Sequence, residues 1–495
     1  MSTHTQKGAV AAGHELTAKA ARHAFEMGGN AVDAAIAAAW MACVAEPVLA
    51  SPGGGGFAMA GGHGRKPQLC DFFAQTPRRA NERADFHAIE ANFGDATQTF
   101  HIGLGSVATP GFVPGLFALH AAHARLPMGD LIAPAAAIAR TGHEVNAFQA
   151  FLARVISPIL TNTEGTRAIF APNGHLLKQG ETLKNPALAR FLELLAQGGL
   201  DSYANDIWPA LLAGMDASGH LTQDDLEHYR VHWRTPLDIA LPFGHAWLNP
   251  PPAASGVLIA LARQALAEDA ACPPCAWARA LDAADRIRHD SGHDLDALMQ
   301  ELGLPQDAAP KAYRGTTHIS TIDADGLACA MTISNGEGCG HVVPGFGFML
   351  NNMLGETDVN PAGRSGWPKN VRLSSMMAPA LARREDGALF VLGSGGSNRI
   401  RSVIFLMLAR LFDEGADLEA AIEAPRLHVE HGHLDFEPGF APQHLRAMEQ
   451  AFPDHRAWRK PGLFFGGCHA AARLPDGSLV AHGDPRRAGA AQIAP

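Results

Sequence analysis

The clearest pattern of apolar and polar positions in the chain is a short pair of strand-like segments near residue 320. Residues 318–323 suit a β-strand, and residues 327–333 suit a second, mostly apolar strand. The residues between them, Ala324, Asp325 and Gly326, have the composition of a tight turn in which Gly326 can adopt a positive φ. The pattern therefore predicts a β-hairpin that begins directly after Gly315, with Thr316 at the edge of its first strand.

Apolar residues at spacings of three and four predict helices through much of the first half of the chain. Residues 14–45 suit two helices that are separated at Gly28 and Gly29, with Asn30 as the cap of the second helix. Residues 114–215 suit a mostly helical region, and Thr222 has the position of a further helix cap. A proline-rich loop that starts at residue 248 leads into another predicted helix. We therefore expect a large helical portion ahead of the hairpin.

Two segments interrupt this pattern. The stretch SPGGGGF at residues 51–57 is a four-glycine loop, which serves either as a hinge or to let the backbone pass close to the interior. The composition shifts between residues 268 and 315, and within this region the stretch GLPQDAAPKAYRG, residues 303–315, is crowded with proline, alanine and charged residues. We expect an exposed, loosely held tail at residues 303–315. The main organisational boundary is therefore predicted between Gly315 and Thr316.

The composition indicates a large buried core and narrows the classes of partner. Of the 495 residues, 47% are apolar and 18% are charged, which argues against wholesale disorder. The formal net charge of -10 argues against nucleic acid or an anionic membrane surface as the main partner. The longest uncharged apolar run near the start, residues 34–45, is too short to span a bilayer. We expect neither a nucleic-acid partner nor a membrane partner.

The N-terminal segment and the cysteines favour a cytoplasmic location. The first residues lack a basic head followed by a long apolar stretch, so they do not suit a signal peptide. Seven cysteines, an odd number without even spacing, do not suggest a disulfide framework. Cys272 and Cys275 have the spacing of a redox motif, but the two prolines between them also fit a plain loop, and short motifs match by accident.

The residue pair at the head of the predicted hairpin raises a chemical possibility. A threonine hydroxyl is a weak nucleophile, but an N-terminal threonine carries its own base, the free α-amine. Thr316 would gain that amine if the bond from Gly315 were broken, and the missing side chain of Gly315 leaves its carbonyl open to attack by the Thr316 hydroxyl. The alternative is that Thr316 and Thr317 are ordinary β-formers that open a strand, and the local pattern by itself favours this alternative.

Ten short stretches spread over nearly the whole chain carry a longer-range signal. In order they are GGNAVDAAIAA, SPGGGGFAM, ATPGFVPGL, LTQDDLEHYRVHWRTPL, GTTHISTIDADG, LNN, RLSSMMAP, GSGGSNRI, APRLHVE and GDPRR. Each is weak alone, but in this order they resemble the γ-glutamyltranspeptidase family. The resemblance implies an α+β fold of the N-terminal nucleophile hydrolase type, an αββα sandwich in which two stacked antiparallel sheets lie between helical layers. It also implies self-cleavage into a large chain, 1–315, and a small chain, 316–495, which stay together.

The resemblance assigns roles to individual residues. Thr316 would be the nucleophile of both self-cleavage at Gly315 and catalysis, and Gly396 and Ser397 would supply the backbone N–H donors of an oxyanion hole, because glycine-rich turns present such donors without bulk. A shift of the alignment by one residue would make these donors Gly395 and Gly396. The remaining implied residues are Thr332 and Ser334, as hydroxyls close to the nucleophile, Asn335, as a substrate contact, and Ser374 and Ser375, as ligands of the donor's α-carboxylate.

Three departures from the family bear on the substrate. Phe73 stands where the family carries an arginine that clamps the donor's α-carboxylate, and an apolar ring cannot replace a bidentate guanidinium; Arg78 and Arg79 lie nearby in the sequence. Glu356 takes the place of an aspartate that holds the donor's amine, and Met353 takes the place of a glutamine. The segment between LNN and RLSS, which forms a lid in the family, is much shorter here. We therefore expect a more open site.

The resemblance implies a self-processed amidohydrolase or acyltransferase. Thr316 would attack a γ-glutamyl or related amide and form an acyl-enzyme that passes to water or to an amine. An acylase for larger or non-glutamyl acyl groups is the alternative enzyme, and an unprocessed, inactive homologue that acts as a binding protein is the alternative from another class. We expect a small-molecule amide or peptide substrate and neither a metal nor another cofactor. A homodimer of the processed unit remains open.

Overall fold

The structure, a computed structural model, describes residues 6–92, 97–267, 269, 271–291, 315–356, 364 and 366–495.

Two antiparallel β-sheets are stacked at the centre of the structure, and strands are numbered here in chain order. The first sheet contains, from edge to edge, β22 (Ala490–Ala494), β1 (Gly8–Ala12), β11 (Thr316–Asp323), β12 (Leu327–Ser334), β2 (Gly55–Gly62), β3 (Arg65–Phe72) and β8 (His232–Arg234). The second contains β21 (Leu479–His482), β20 (Ala470–Arg473), β14 (Leu389–Leu392), β13 (Ala380–Arg384), β10 (Gly244–Leu248) and β9 (Leu237–Leu241). Smaller pairings join β15 (Ser394–Gly395) to β19 (Gly467–Cys468), β16 (Leu427–Glu430) to β17 (His433–Phe436) and β18 (His455–Ala457), β4 (His87–Asn92) to β5 (Thr97–Ile102), and β6 (His143–Glu144) to β7 (Thr182–Leu183).

Helices cover both outer faces of the stacked sheets. They are α1 (Glu15–Glu26), α2 (Ala31–Ala45), α3 (Phe112–His123), α4 (Met128–Thr141), α5 (Ala147–Val155), α6 (Ser157–Leu160), α7 (Glu164–Phe170), α8 (Pro186–Ser202), α9 (Trp208–Leu211), α10 (Met215–Ser218), α11 (Gln223–Glu227), α12 (Ala254–Ala265), α13 (Pro273–Asp290), α14 (Arg399–Leu408), α15 (Leu418–Glu423) and α16 (Pro442–Ala451). Within the described ranges, none of these helices combines the length and the apolar composition that a bilayer crossing needs.

The layering follows from the two-residue alternation of the strands. In β12, Ala328 and Ala330 pack between the two sheets, whereas Cys329 and Met331 pack against the helices of the first outer layer. Strand β14 alternates in the same way, since Val391 lies between the sheets and Phe390 packs towards the second helical layer. Because both faces of each sheet are buried, the predicted αββα sandwich of the α+β class is confirmed.

The local predictions around the hairpin and the first helices are also confirmed. Strands β11 and β12 pair with Thr316 opposite Ser334, and Gly326 in the turn has φ +83°. Asn30 caps α2, because its side chain accepts the N–H of Asp33 while the carboxylate of Asp33 accepts the N–H of Asn30. The region 114–215 is mostly helical, and Thr222 caps α11. In the four-glycine loop, a Cβ on Gly54 would lie 2.2 Å from the carbonyl oxygen of Ser334, so the loop lets two backbones meet.

Segments before and after Gly315 are interleaved in the first sheet and share the second. In the first sheet, β11 and β12 lie between β1 and β2, and β22 covers the far side of β1. In the second sheet, β10 from the earlier segment pairs with β13 from the later one. The boundary that the sequence suggests at this glycine is therefore not a boundary between separately folded units.

The region between residues 268 and 315, where the composition shifts, begins with a helix that the sequence analysis did not predict. Residues 273–290 form α13, and its apolar side packs against α12 and β16 through Trp277 and Leu281, both buried. The prolines at the start of this segment suggested a loop, but proline is well tolerated in the first turn of a helix, where its missing N–H would have no helical partner. The predicted loose tail at residues 303–315 lies outside the described residues except for Gly315.

The cysteine prediction also needs a correction. Cys272 and Cys275 form a disulfide in the structure, with a Cα–Cα distance of 5.3 Å. They lie at the N-cap and in the first turn of α13, where a spacing of three residues brings two side chains to the same face. The expectation of a plain loop at this place is therefore wrong, whereas a redox role of the pair remains untested. The other cysteines are buried free thiols: Cys43, Cys70, Cys329, Cys339 and Cys468.

Candidate active site

The open end of the hairpin presents a line of polar side chains between the two sheets. Thr316 and Ser334 lie opposite each other there, 2% and 3% exposed. The alternation of β11 separates two sets of contacts. Ser320 donates to the carbonyl oxygen of Val391 in the second sheet at 3.0 Å, whereas Thr317 donates to the carboxylate of Glu46, at the end of α2, at 2.6 Å. Thr316 shares the face of Ser320, so the candidate nucleophile lies on the inner side of the sandwich.

Gly315 occupies a position that only glycine can fill. Its φ is +29°, and a Cβ there would lie 1.7 Å from the carbonyl oxygen of Gly336. The hydroxyl of Ser334 donates a hydrogen bond to the carbonyl oxygen of Gly315, and the same hydroxyl oxygen accepts the N–H of Gly336 at 3.0 Å. The carbonyl that self-cleavage would attack is thus polarised by a neighbouring donor.

The glycine loop GSGGSNRI comes against the same strand end. A Cβ on Gly395 would lie 2.2 Å from the carbonyl oxygen of Thr316, so the absence of a side chain permits this approach. Gly396 and Ser397 both have positive φ, +127° and +65°. Their backbone N–H groups donate to no described residue, whereas Gly395 is paired with Gly467 through β15 and β19. Strained backbone with uncommitted donors is typical of a loop that holds an anionic oxygen.

A buried histidine that the sequence analysis did not single out lies directly below the candidate nucleophile. His318 Nδ1 is 2.8 Å from the hydroxyl of Thr332, and Nε2 is 2.9 Å from that of Ser320. Because the hydroxyl hydrogen of Ser320 is directed to backbone carbonyls, His318 Nε2 donates to Ser320 and Nδ1 accepts from Thr332. Burial lowers the pKa of His318 well below its usual range, so the ring is neutral. Thr332 therefore belongs to the support beneath the site, two residues further along β12 from the hairpin's open end than Ser334.

The loop after β12 brings Asn335 and Glu356 close to the scissile position. Asn352 Oδ1 accepts the N–H groups of Glu337 at 2.9 Å and Gly338 at 3.2 Å, which fixes the loop. Asn335 is 1% exposed, and its Oδ1 has no hydrogen-bond partner among the described residues. A carboxylate oxygen of Glu356 lies 2.3 Å from the point where a Cβ on Gly336 would be. The structure thus brings these two predicted substrate contacts together.

Ser374, Ser375 and Phe73 form another wall. The N–H of Leu373 donates to the carbonyl oxygen of Ala74 at 3.1 Å, which joins the serine segment to the end of β3. The Ser375 hydroxyl accepts the N–H of Met377 at 3.1 Å. The Phe73 ring is 2% exposed and stacks on Phe57 with ring centroids 5.4 Å apart. The position of the family arginine is therefore filled by packed aromatic rings.

The arginines near Phe73 are committed elsewhere. Arg372 donates to the carbonyl oxygen of Phe73 and lies 3.3 Å from the buried carboxylate of Asp71. Arg78 is 3.3 Å from Asp224, and Arg79 is 2.7 Å from Asp216, both at the surface. The structure does not bring Arg78 or Arg79 to the serine pair.

A cation that the sequence analysis did not assign lies on the other side of the site. The turn GDPRR holds Asp484 against Arg426 and holds Arg486 against Glu437 at 2.6 Å. The next residue, Arg487, extends over Gly467 towards the glycine loop. The two terminal nitrogens of its guanidinium lie 3.0 Å and 3.3 Å from the points where Cβ atoms on Gly395 and Gly396 would be. The doubled arginine in GDPRR was the available signal.

Two further expectations from the sequence concern the shortened lid and the absence of a metal site. The shortened lid falls largely on residues 357–363 and 365, which lie outside the described residues. Among the described residues, the side-chain sets with a spacing suited to a metal ion are Asp285, His289 and His431, and Glu419, Glu423 and His482. Neither set contains a candidate active-site residue.

Comparison with known proteins adds the evolutionary context. The family profile described as Gamma-glutamyltranspeptidase matches residues 17–271 and 277–494. The chain is 28% identical to a glutathione hydrolase proenzyme of Escherichia coli (strain K12), over 93% of this chain and 87% of that protein. It is 27% identical to the acylase ACY 1 proenzyme of Pseudomonas sp. (strain SE83), over 96% and 91%.

A solved structure has the same fold. The cephalosporin acylase from Bacillus halodurans superposes with a TM-score of 0.82 at 22% identity and covers 99% of this chain and 96% of that one. This likeness concerns the fold, whereas the family match spans nearly the whole sequence. The chain is a member of the γ-glutamyltranspeptidase family and therefore an enzyme of the N-terminal nucleophile hydrolase type.

Proposed function

We propose that the protein cuts itself between Gly315 and Thr316 and then hydrolyses or transfers an acyl group with Thr316 as its nucleophile. The observation that carries this proposal is the hydrogen bond from the Ser334 hydroxyl to the Gly315 carbonyl, at a position that accepts only glycine. The Thr316 hydroxyl attacks that carbonyl carbon, and the amide becomes an ester as the Thr316 nitrogen leaves. This step frees the α-amine of Thr316, and water then hydrolyses the ester, which frees the carboxylate of Gly315 and restores the Thr316 hydroxyl.

The freed α-amine acts as the general base of the second reaction. It accepts the proton of the Thr316 hydroxyl while the oxygen attacks the substrate's amide carbonyl. The N–H groups of Gly396 and Ser397 stabilise the resulting oxyanion; their lack of other partners supports this pair over Gly395 and Gly396. The leaving amine takes the proton, and the acyl-enzyme passes its acyl group to water or to an acceptor amine.

The two chains of the processed enzyme stay together. Cleavage between Gly315 and Thr316 leaves strands of both chains interleaved in the first sheet, as in β1–β11–β12–β2, and paired through β10 and β13 in the second. Separation would expose both faces of these sheets and break the ladders between them, which is strongly unfavourable. Processing therefore changes the site without dismantling the fold.

We infer the substrate class from the side chains that would contact the donor. Ser374, Ser375, Asn335 and Glu356 supply hydrogen-bonding groups for a polar donor, but Phe73 removes the cationic partner of an α-carboxylate. The same observation favours the second candidate function, an acylase for larger or less polar acyl groups. We infer that γ-glutamyl donors bind weakly and that donors without a free α-carboxylate are accepted.

Two measurements test the proposal. A denaturing gel of the purified protein should give two bands, and N-terminal sequencing of the smaller chain should begin at Thr316. Only intact chain in active material, or another start, would contradict self-cleavage at this bond. Intact chain without any activity would instead favour the binding-protein alternative. A panel of γ-glutamyl and other acyl anilides, assayed with the processed enzyme, then identifies the donor.

A further inference from the structure

The guanidinium of Arg487 is a charged group beside the glycine loop that forms no ion pair with any described residue. No hydrogen bond or ion pair joins it to a described residue, and its Nε is buried without a hydrogen-bond partner. Its neighbours in the turn, by contrast, are paired: Arg486 with Glu437, and Asp484 with Arg426. Arg487 is half-buried, and a partly desolvated cation without an ion-pair partner costs free energy, so its retention beside an active site suggests a functional use.

The guanidinium of Arg487 lies close to the backbone of the proposed reacting groups. The point where a Cβ on Gly395 would lie is 2.2 Å from the carbonyl oxygen of Thr316 and 3.0 Å from Nη1 of Arg487. The corresponding point on Gly396 is 3.3 Å from Nη2. The charge thus lies against the backbone of both the candidate nucleophile and one candidate oxyanion donor. Interactions between charges at such separations inside a protein are strong.

On the basis of the proposed roles of Thr316 and the glycine loop, we propose that Arg487 is a positioning residue that supplies the positive field of the oxyanion site. Its charge stabilises the negative oxygen that forms at Gly396 and Ser397 during acyl transfer. The same charge favours the neutral form of the Thr316 α-amine, which is the form that can accept a proton. The group acts through space on both and contacts neither reacting atom.

The charged and titratable groups around the loop are compatible with this role. Burial, together with the nearby Arg399, lowers the pKa of Arg487 to about 9, so the guanidinium is protonated at neutral pH. Asp484 attracts it from the same turn but is shared with Arg426 and Arg486. The remaining groups that face the site are His318 and His469, whose pKa values are lowered by burial, and the carboxylates Glu337 and Glu356 from the loop after β12.

The test compares Arg487→Met, which removes the charge at similar side-chain length, with Arg487→Lys, which keeps the charge. Arg446→Met, on the exposed face of α16, is the matched control. Each processed protein is assayed between pH 5 and 10 with an acyl anilide that carries no charge. We expect Arg487→Met to lower kcat about 10- to 100-fold with little change in KM, because the field acts on the transition state. We also expect the acidic limb of its pH profile to move up by about one unit, whereas Arg487→Lys and Arg446→Met keep the native limb.

The outcomes separate this inference from the function on which it rests. If Arg487→Met is processed and active with the native acidic limb, the inference is overturned while the role of Thr316 stands. If native protein is neither cut nor active, the proposed function itself fails. If Arg487→Met does not fold, Arg487→Lys decides: a native limb supports the inference, and a limb displaced upward overturns it, because lysine preserves the charge. A loss confined to negatively charged donors would also overturn it, since that pattern belongs to carboxylate recognition.

Discussion

The two walls of the candidate site differ in how closely they follow the family pattern. On the cleavage side, Gly315, Thr316 and the loop at Gly396 keep the residues of the family motifs, and the close backbone approaches at Gly315 and Gly396 leave no room for a side chain. On the donor side, the family's arginine is Phe73, which is packed against Phe57 rather than directed at a ligand. The residues proposed for the reaction therefore keep the family pattern, whereas a residue proposed for donor recognition departs from it.

This difference has a physical basis. Self-cleavage and acyl transfer need a few atoms within tenths of an ångström, and backbone groups supply most of them, so few substitutions are tolerated. Recognition of the rest of the donor depends on side chains that can be exchanged for others of the same volume. A family member can therefore change its substrate without rebuilding its reaction centre, and we propose that this protein is such a case.

The largest expected effect comes from the cleavage side. Thr316→Ala removes the attacking oxygen, so the protein should remain a single chain and lose at least about 10⁴-fold in acyl-transfer rate. Thr316→Ser is the matched control, because it retains the hydroxyl and should still be cut, though more slowly. Gel analysis and an anilide assay measure both. Two chains from folded Thr316→Ala would show that another residue breaks the bond.

The next effect concerns the oxyanion loop. Gly396→Pro removes an N–H donor and fixes φ near −65°, far from the observed +127°, so turnover should fall about 10²- to 10³-fold. Ser397→Ala leaves the backbone donor in place and should have a mild effect. The rates are compared in folded, processed protein, with circular dichroism as the check on folding. Full activity in Gly396→Pro would mean that the oxyanion donors lie elsewhere.

Ser334 offers a smaller and more selective effect. Ser334→Ala removes the donor to the Gly315 carbonyl, so self-cleavage should slow about 10- to 100-fold, while Ser334→Thr keeps the hydroxyl and should cut at close to the native rate. The half-time of chain conversion on gels gives the comparison. Equal half-times for the alanine variant and the native protein would remove this hydrogen bond from the mechanism.

The sequence predicted local elements better than long-range contacts. The hairpin, the cap at Asn30 and the mostly helical region 114–215 all depend on neighbouring residues, and the structure confirms them. Helix α13 was missed because its prolines and charges resemble those of a loop, whereas its stability comes from Trp277 and Leu281 packing on distant elements. Propensity alone does not contain that packing energy.

The candidate site shows the same limit. Thr316, Ser334 and the glycine loop could be named from motifs, and the structure brings them to one place. His318 was missed, although it lies in the same motif, because its role comes from hydroxyls on β11 and β12 that only the register brings together. Arg487 was missed because its proximity to Gly395 depends on the path of a turn far away in the sequence.

The smallest expected effect is a change of donor preference in Phe73→Arg, and it tests the difference between the cleavage side and the donor side most directly. Phe73→Arg would restore a cation beside Ser374 and Ser375, and a guanidinium compensates a carboxylate better than neutral hydroxyls do. The ratio of kcat/KM for a γ-glutamyl anilide to that for an acyl anilide without the α-carboxylate should rise about tenfold, equivalent to about 1.4 kcal/mol. Because Phe73 is buried and stacked on Phe57, the variant should also unfold at a lower temperature.

Phe73→Leu separates these two consequences. It loses the stacking but gains no charge, so its Tm should fall while its donor ratio stays at the native value. A rise in the ratio for both variants would mean that the added space, rather than the added charge, admits the γ-glutamyl group. If the native enzyme already prefers the γ-glutamyl donor strongly and Phe73→Arg abolishes activity in folded protein, the donor side is not altered in the way its packing indicates. Since Arg78, Arg79 and Arg372 are already paired with aspartates, the carboxylate would then be held by the hydroxyls of Ser374 and Ser375 or by a cation outside that wall.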